Sequence, residues 1–176
     1  MSTLPPLRIS EICDVELSMI GLAACPGKAD LSLSGPSGYV RRDLQADLMA
    51  VHDWGAEAVI TLLPDEEMAE LGVLGLGATV RQLGMSWLHL PINDGGAPSP
   101  GWDRDWVAGG KQIHSALDRG GRVLVHCEAG RGRSGTVAAR ILMDRGASAQ
   151  GAINAVRTVL PGAIDGPDQL AYLMAR

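Results

Sequence analysis

Phenylalanine is absent from the 176 residues, and aromatic side chains make up only 3% of them. The interior must therefore be filled by Leu, Val, Ile, Met and four Trp. Lysine is scarce, and acids outnumber bases 20 to 15 for a formal net charge of −5. That balance excludes a generally basic nucleic-acid or membrane-surface binder, although local basic pockets stay open. No apolar run approaches the ~20 residues a membrane helix needs. The N-terminus, MSTLPPLRISEICDVELS, carries prolines and acids where a signal peptide would have an apolar core. Cys13, Cys25 and Cys127 are the only cysteines; they form no metal-like pair and leave one over from any disulfide, which favours a reduced, cytoplasmic setting. What remains, 46% apolar and 20% charged, is the composition of a globular chain. Its length supports one sizeable core, burying roughly 70% of the surface that the unfolded chain exposes.

Periodicity predicts strands alternating with helices. Residues 18–22 read as a short strand ending at Cys25-Pro26-Gly27. Residues 31–40, LSLSGPSGYV, read as a loop because Gly and Pro punctuate them. Leu44, Leu48 and Val51 share one face of a helix over 41–54, and Gly55 stops it. The continuous run 58–63, AVITLL, suits a strand buried on both sides. Short helices follow at 66–71 and 78–83, then a strand at 85–92 and a loop at 93–98. A helix at 102–117, a strong strand at 122–126 and a helix at 133–145 come next. Ser148 caps a further helix to Leu160, and the last spans 167–174. The pattern predicts an α/β fold, a mostly parallel central sheet flanked by helices, as one domain over 1–176.

The chemistry concentrates in the stretch from Val123 to Gly135, VLVHCEAGRGRSG. An apolar strand delivers Cys127 into a glycine-rich loop that runs straight into a helix. Successive loop amides, together with the positive end of the helix dipole, make an anion cradle from Glu128, Ala129, Gly130, Arg131, Gly132 and Arg133. The same field is expected to lower the pKa of the Cys127 thiol. Arg133 can grip two oxygens of a tetrahedral oxyanion with its planar fork, which a lysine cannot do. The Ser134 hydroxyl is placed to donate to the sulfur and ease its later departure. His126 reads as a hydrogen-bonding support for Cys127. Arg131 is either added pocket charge or a solvated loop residue. Glu128 either faces outward and pairs with Arg131 or repels acidic substrates.

Cysteine, five intervening residues, arginine and serine resemble the signature of the cysteine-based protein tyrosine phosphatase superfamily, dual-specificity type. The stretch LPINDGGAP, residues 90–98, looks like the general-acid loop of those enzymes, and its Asp-Gly-Gly-x-Pro form is most similar to the kinase-associated phosphatases, the cyclin-dependent kinase inhibitor 3 family. The closing stretch PGAIDGPDQ, residues 161–169, is similar to the end of those domains. The similarity spans roughly residues 56–172, while the segment 1–40 is less distinctive. It implies a central sheet with helices on both faces and a phosphate loop at the carboxyl end of a central strand. The family tail often carries two glutamines that help place the hydrolytic water; here only Gln169 matches.

The expected function is phosphomonoester hydrolysis through a phosphocysteine intermediate, with Cys127 as nucleophile, Asp94 as general acid and Arg133 with the loop amides as oxyanion binders. Asp103 and Asp105 are alternative acids, although acids at a helix start commonly serve its dipole. Neither a cofactor nor a metal is expected, and His52, His89 and His114 show no ligand spacing. The expected partner is a phosphorylated protein or peptide, with no nucleic acid or membrane, and the expected state is a cytoplasmic monomer. The alternatives are a catalytically silent phospho-binding module, a phosphatase of a non-protein ester and a rhodanese-like sulfurtransferase. Trp102 and Trp106 read as core packing or pocket rim, Arg41-Arg42 as a solvated helix start or an anion site, and Cys25 as a buried structural thiol or a redox partner of Cys127.

Overall fold

The computed structural model describes residues 5–14, 18–35 and 38–176. The strands are β1 (Ser10–Cys13), β2 (Met19–Ala23), β3 (Ala29–Gly35), β4 (Gly38–Arg41), β5 (Ala56–Thr61), β6 (Ser86–His89) and β7 (Arg122–His126). The helices are α1 (Leu44–Asp53), α2 (Asp65–Glu70), α3 (Leu76–Gln82), α4 (Pro100–Asp118), α5 (Gly132–Asp144), α6 (Ala149–Val159) and α7 (Pro167–Met174). Five strands form the main sheet in the order β1-β2-β7-β5-β6. β7 runs down its middle, parallel to β2 on one side and to β5 on the other. Val123, Leu124, Val125 and His126 are fully buried there, as an unbroken apolar run in a parallel sheet should be. The mixed α/β architecture matches the expected one. An antiparallel edge is added, because β1 pairs with β2, Ser10 opposite Leu22 and Cys13 opposite Met19. Only four residues long, with Glu11 and Cys13 exposed, β1 has too little pattern to be read from sequence.

One expectation is corrected. Most of the stretch 31–40 is not loop: β3 and β4 pair antiparallel as a separate two-stranded sheet, Gly35 opposite Gly38. Pro36 and Ser37 lie outside the described residues. The alternation Leu31-Ser32-Leu33-Ser34 is a strand pattern that the neighbouring Gly and Pro outweighed.

The helices begin where side chains cap them. The Ser99 hydroxyl accepts from the Trp102 amide, so α4 opens at Pro100, and Ser148 accepts from the Gly151 amide to open α6. Trp102 and Trp106 are buried on α4 and stacked 5.5 Å apart, which settles them as core. The Trp102 indole also donates to the Leu90 carbonyl at 3.1 Å, pinning the start of the loop that carries Asp94. Because β2, β5, β6 and β7 run in one direction, the loops that follow them gather at one edge of the sheet, where open α/β folds place their ligands. Among the described residues no helix is long and apolar enough to cross a membrane.

Candidate active site

β7 ends at His126, whose surroundings fix its proton. Thr61, its register partner on β5, accepts from the Trp87 indole at 2.8 Å and lies 2.8 Å from His126 Nε2. On the ring's other side Nδ1 meets the Cys127 carbonyl, which can only accept, so Nδ1 carries the proton and the Thr61 hydroxyl donates to Nε2. The imidazole is therefore the Nδ1–H tautomer, with Nδ1 facing the Cys127 carbonyl at 3.4 Å. Burial is the main reason that the His126 pKa is pushed down to about 4, against the hydrogen bond to Cys127. The unfolded chain takes up this proton near pH 6.5 and the native chain only near pH 4. Stability from this group is complete above pH 6.5 and is lost as pH falls to about 4. Urea midpoints should fall across that window, with a slope approaching about 1.4 kcal/mol per pH unit. The His126→Asn variant should show a flatter profile whatever its absolute stability.

Cys127 follows on the loop and is almost fully buried. The Gly130 amide donates to its sulfur at 3.2 Å, and Ser134 Oγ lies 3.5 Å away. Gly130 is required twice over. Its φ is +74°, and a Cβ there would sit 2.5 Å from the Ala23 carbonyl at the end of β2. The loop then enters α5 at Gly132, so the cleft is lined by the loop and by a helix N-terminus.

Arg133 is 3% exposed and held from three sides. Its Nη1 and Nη2 donate bidentately to Glu67 on α2 at 2.7 and 2.8 Å, and Nη1 also donates to the Ile92 carbonyl at 3.1 Å. Nη2 lies 3.1 Å from Asp94 Oδ1. Burial opposes the arginine's charge, but the hydrogen bonds to Glu67 and the nearby charges of Cys127, Glu67 and Asp94 together outweigh it, and its pKa is raised. The two carboxylates differ in kind. Glu67 is mostly buried, whereas Asp94 is 80% exposed. An exposed pair is worth about 0–1 kcal/mol and is readily exchanged.

A cleft of about 240 Å³ opens over these groups, lined by Cys127, Glu128, Ala129, Arg131, Gly132 and Arg133 and by Asp94, Gly95, Asp165 and Gln169. The residues singled out in the sequence thus meet in one place, with His126 and Ser134 beneath the loop. Asp103 and Asp105 do not reach the cleft; Asp103 is engaged by Arg140, Tyr172 and Arg176. Glu128 lies 3.9 Å from Lys28; of its two sequence alternatives, the pairing with Arg131 is not the one that forms. Arg131 lines the cleft and donates to the Pro161 carbonyl at 3.4 Å. Arg42 pairs with Asp47, and Arg41 reaches the Leu71 and Gly72 carbonyls. Cys25 is buried near the loop, and burial pushes its thiol pKa up to about 12.

Two details of the cleft could not be read from sequence, the anchoring of Gln169 and the placing of Asp165. Gln169 is tied down: its Oε1 accepts from the Gly166 amide at 3.2 Å and its Nε2 donates to the Gly96 carbonyl at 3.1 Å, fastening the Asp94 loop to α7. Asp165 instead brings a carboxylate over the loop, with Oδ1 2.6 Å from where a Gly132 Cβ would stand. It follows Ile164, a fully buried β-branched residue at φ +56°. Such a conformation costs of order 1–3 kcal/mol. Arg157 holds it by donating to the Ala163 and Ile164 carbonyls, each at 3.0 Å.

Fold and loop together define a cysteine-based phosphatase. The model of the polymorphic toxin system DSP-PTPase phosphatase (Tc-R-P) matches residues 35–147. Rat cyclin-dependent kinase inhibitor 3 is 30% identical over 176 residues, covering 98% of this chain and 76% of the relative. The tyrosine-protein phosphatase CDC14 of Saccharomyces cerevisiae is 33% identical over 88 residues, 49% of this chain and 15% of the relative. A crystal structure of kinase-associated phosphatase, with serine for its catalytic-site cysteine, superposes with a TM-score of 0.81 at 27% identity, covering 96% of this chain and 93% of that one. The chain belongs to the dual-specificity family of protein tyrosine phosphatases, and it acts as a protein phosphatase, a hydrolase.

Proposed function

We propose that the enzyme works through a phosphocysteine intermediate on phosphorylated proteins, within a single domain and with Cys127 as nucleophile. The observation that carries this is the sulfur's position at the foot of the cleft, 3.2 Å from the Gly130 amide and 3.5 Å from Ser134 Oγ. Both groups stabilise a thiolate, before attack and again as leaving group. Cys127 Sγ attacks the phosphorus in line and the bond to the substrate oxygen breaks. Asp94 gives that oxygen its proton. Water then attacks the phosphocysteine, Asp94 takes the proton, and the sulfur leaves with inorganic phosphate as product.

Arg133 and the amides from Glu128 to Arg133 hold the equatorial oxygens throughout. The incoming phosphoryl group competes with Asp94 for Arg133 Nη2, so binding frees the acid to turn toward the leaving group. Gln169 acts by fastening the acid loop. His126 positions Cys127 through its carbonyl. The reaction as drawn needs no cofactor, and the protein is read as a cytoplasmic monomer that acts on neither nucleic acid nor membrane.

The test assigns the acid. A general acid contributes about 10²–10⁴-fold, more as the leaving group becomes more basic. Asp94→Asn should slow hydrolysis of phenyl phosphate strongly and that of an activated aryl phosphate much less, and the basic limb of its pH–rate profile should flatten. Asp103→Asn and Asp105→Asn, measured in parallel, should follow the wild type. A loss graded by leaving group in either of these, with Asp94→Asn unaffected, would move the acid to that residue.

A further inference from the structure

We propose that the protein selects phosphorylated polypeptide segments bearing an acidic side chain beside the phosphoresidue, through an anion-binding groove next to the catalytic cleft; this rests on the protein-phosphatase reading and deepens it. The groove, about 390 Å³, lies between the chain entering β1, the end of β2, the back of the Cys127 loop and the end of α6. It shares Ala129 and Arg131 with the cleft, so the two are neighbours.

Charge gives the groove its preference. Arg119, Arg133, Arg140, Arg145 and Arg176 each pair with a carboxylate. Arg8 is exposed at the groove and forms no ion pair or hydrogen bond among the described residues. Arg131 makes one contact, with the Pro161 carbonyl at 3.4 Å. Two guanidinium groups without carboxylates thus line one groove in a chain of net charge −5. Around the cleft itself stand Asp94, Glu128 and Asp165. An acidic neighbour of the phosphoresidue is repelled by those carboxylates and attracted toward Arg8 and Arg131, whose planar forks match a carboxylate.

Ser10 adds a hydroxyl, while Leu160 and Pro161 supply apolar wall for a side-chain stem. An extended peptide advances about 3.3 Å per residue, so the residues nearest the phosphoresidue are those that enter a groove sharing the cleft's wall. The chain's membership of the protein phosphatases favours a peptide over a lipid headgroup as the occupant.

Two phosphopeptides that differ only in Glu against Gln at the positions flanking the phosphoresidue test this. In the wild type, kcat/KM should be roughly tenfold higher for the acidic peptide, a ratio that shrinks with added salt. Arg8→Gln should bring the ratio near one and Arg8→Glu should invert it; because each ratio is taken within one variant, a general loss of activity does not mimic the result. Equal turnover of the two peptides by the wild type, or a ratio unchanged in Arg8→Glu, overturns the proposal. A wild type that hydrolyses p-nitrophenyl phosphate but neither peptide overturns instead the reading of a phosphoprotein substrate. Preference for a diphosphorylated inositol lipid in vesicles, lost in Arg8→Glu, would assign the groove to a headgroup and overturn the peptide occupant.

Discussion

The Cys127→Ser variant is expected to lose at least about 10⁴-fold in kcat on any phosphomonoester, because a serine hydroxyl stays protonated where the thiolate attacks. The loss should be one of chemistry and not of fold. Cys127 is buried, the substitution removes little volume, and its two polar neighbours, the Gly130 amide and Ser134, can bond to an oxygen as readily as to sulfur. Binding of a phosphopeptide should therefore survive, measurable by calorimetry, while rapid-quench experiments find no phosphoenzyme. Turnover above a trace in this variant would remove the covalent route and leave the loop as an anion site serving some other nucleophile.

Arg133→Lys should be nearly as damaging, at about 10³-fold or more in kcat/KM, in line with the loss of oxyanion donors elsewhere. An ammonium group cannot hold both Glu67 oxygens, reach the Ile92 carbonyl and still present a fork to phosphate. Affinity for vanadate, an oxyanion that imitates the five-coordinate phosphorus, should fall along with activity. If vanadate bound as tightly to the variant as to the wild type, the arginine would have no part in gripping the transferred group.

What the sequence disclosed follows from how local each feature is. The Cys127 loop could be read because strand, glycines and helix are consecutive, and the Asp94 loop because two glycines follow the acid. Glu67 could not. It stands 66 residues from Arg133, in a short helix whose opening acids look like ordinary partners of its dipole. Gln169 was legible as a cleft residue but not in its partners, since the Gly96 carbonyl that fixes its amide lies 73 residues away. The left-handed Ile164 has no sequence signal at all, because branched side chains avoid that conformation and distant contacts hold it there, from Arg157 and from the Arg131 carbonyl, which accepts from the Ile164 amide. The strands β3 and β4 were lost to a different cause, glycine and proline masking a two-residue alternation.

The Glu67–Arg133 pair also decides when an entropic cost is incurred. An arginine side chain carries about 2 kcal/mol of rotamer freedom, and here that freedom is surrendered as the chain folds, before any phosphate arrives. Part of the affinity for oxyanions is thus stored as native-state order, at the expense of folding stability. Glu67 is not among the residues lining the cleft, yet it holds that order in place. Drift in the sequence of α2 would therefore change how tightly phosphate is held while every atom facing the substrate stayed the same.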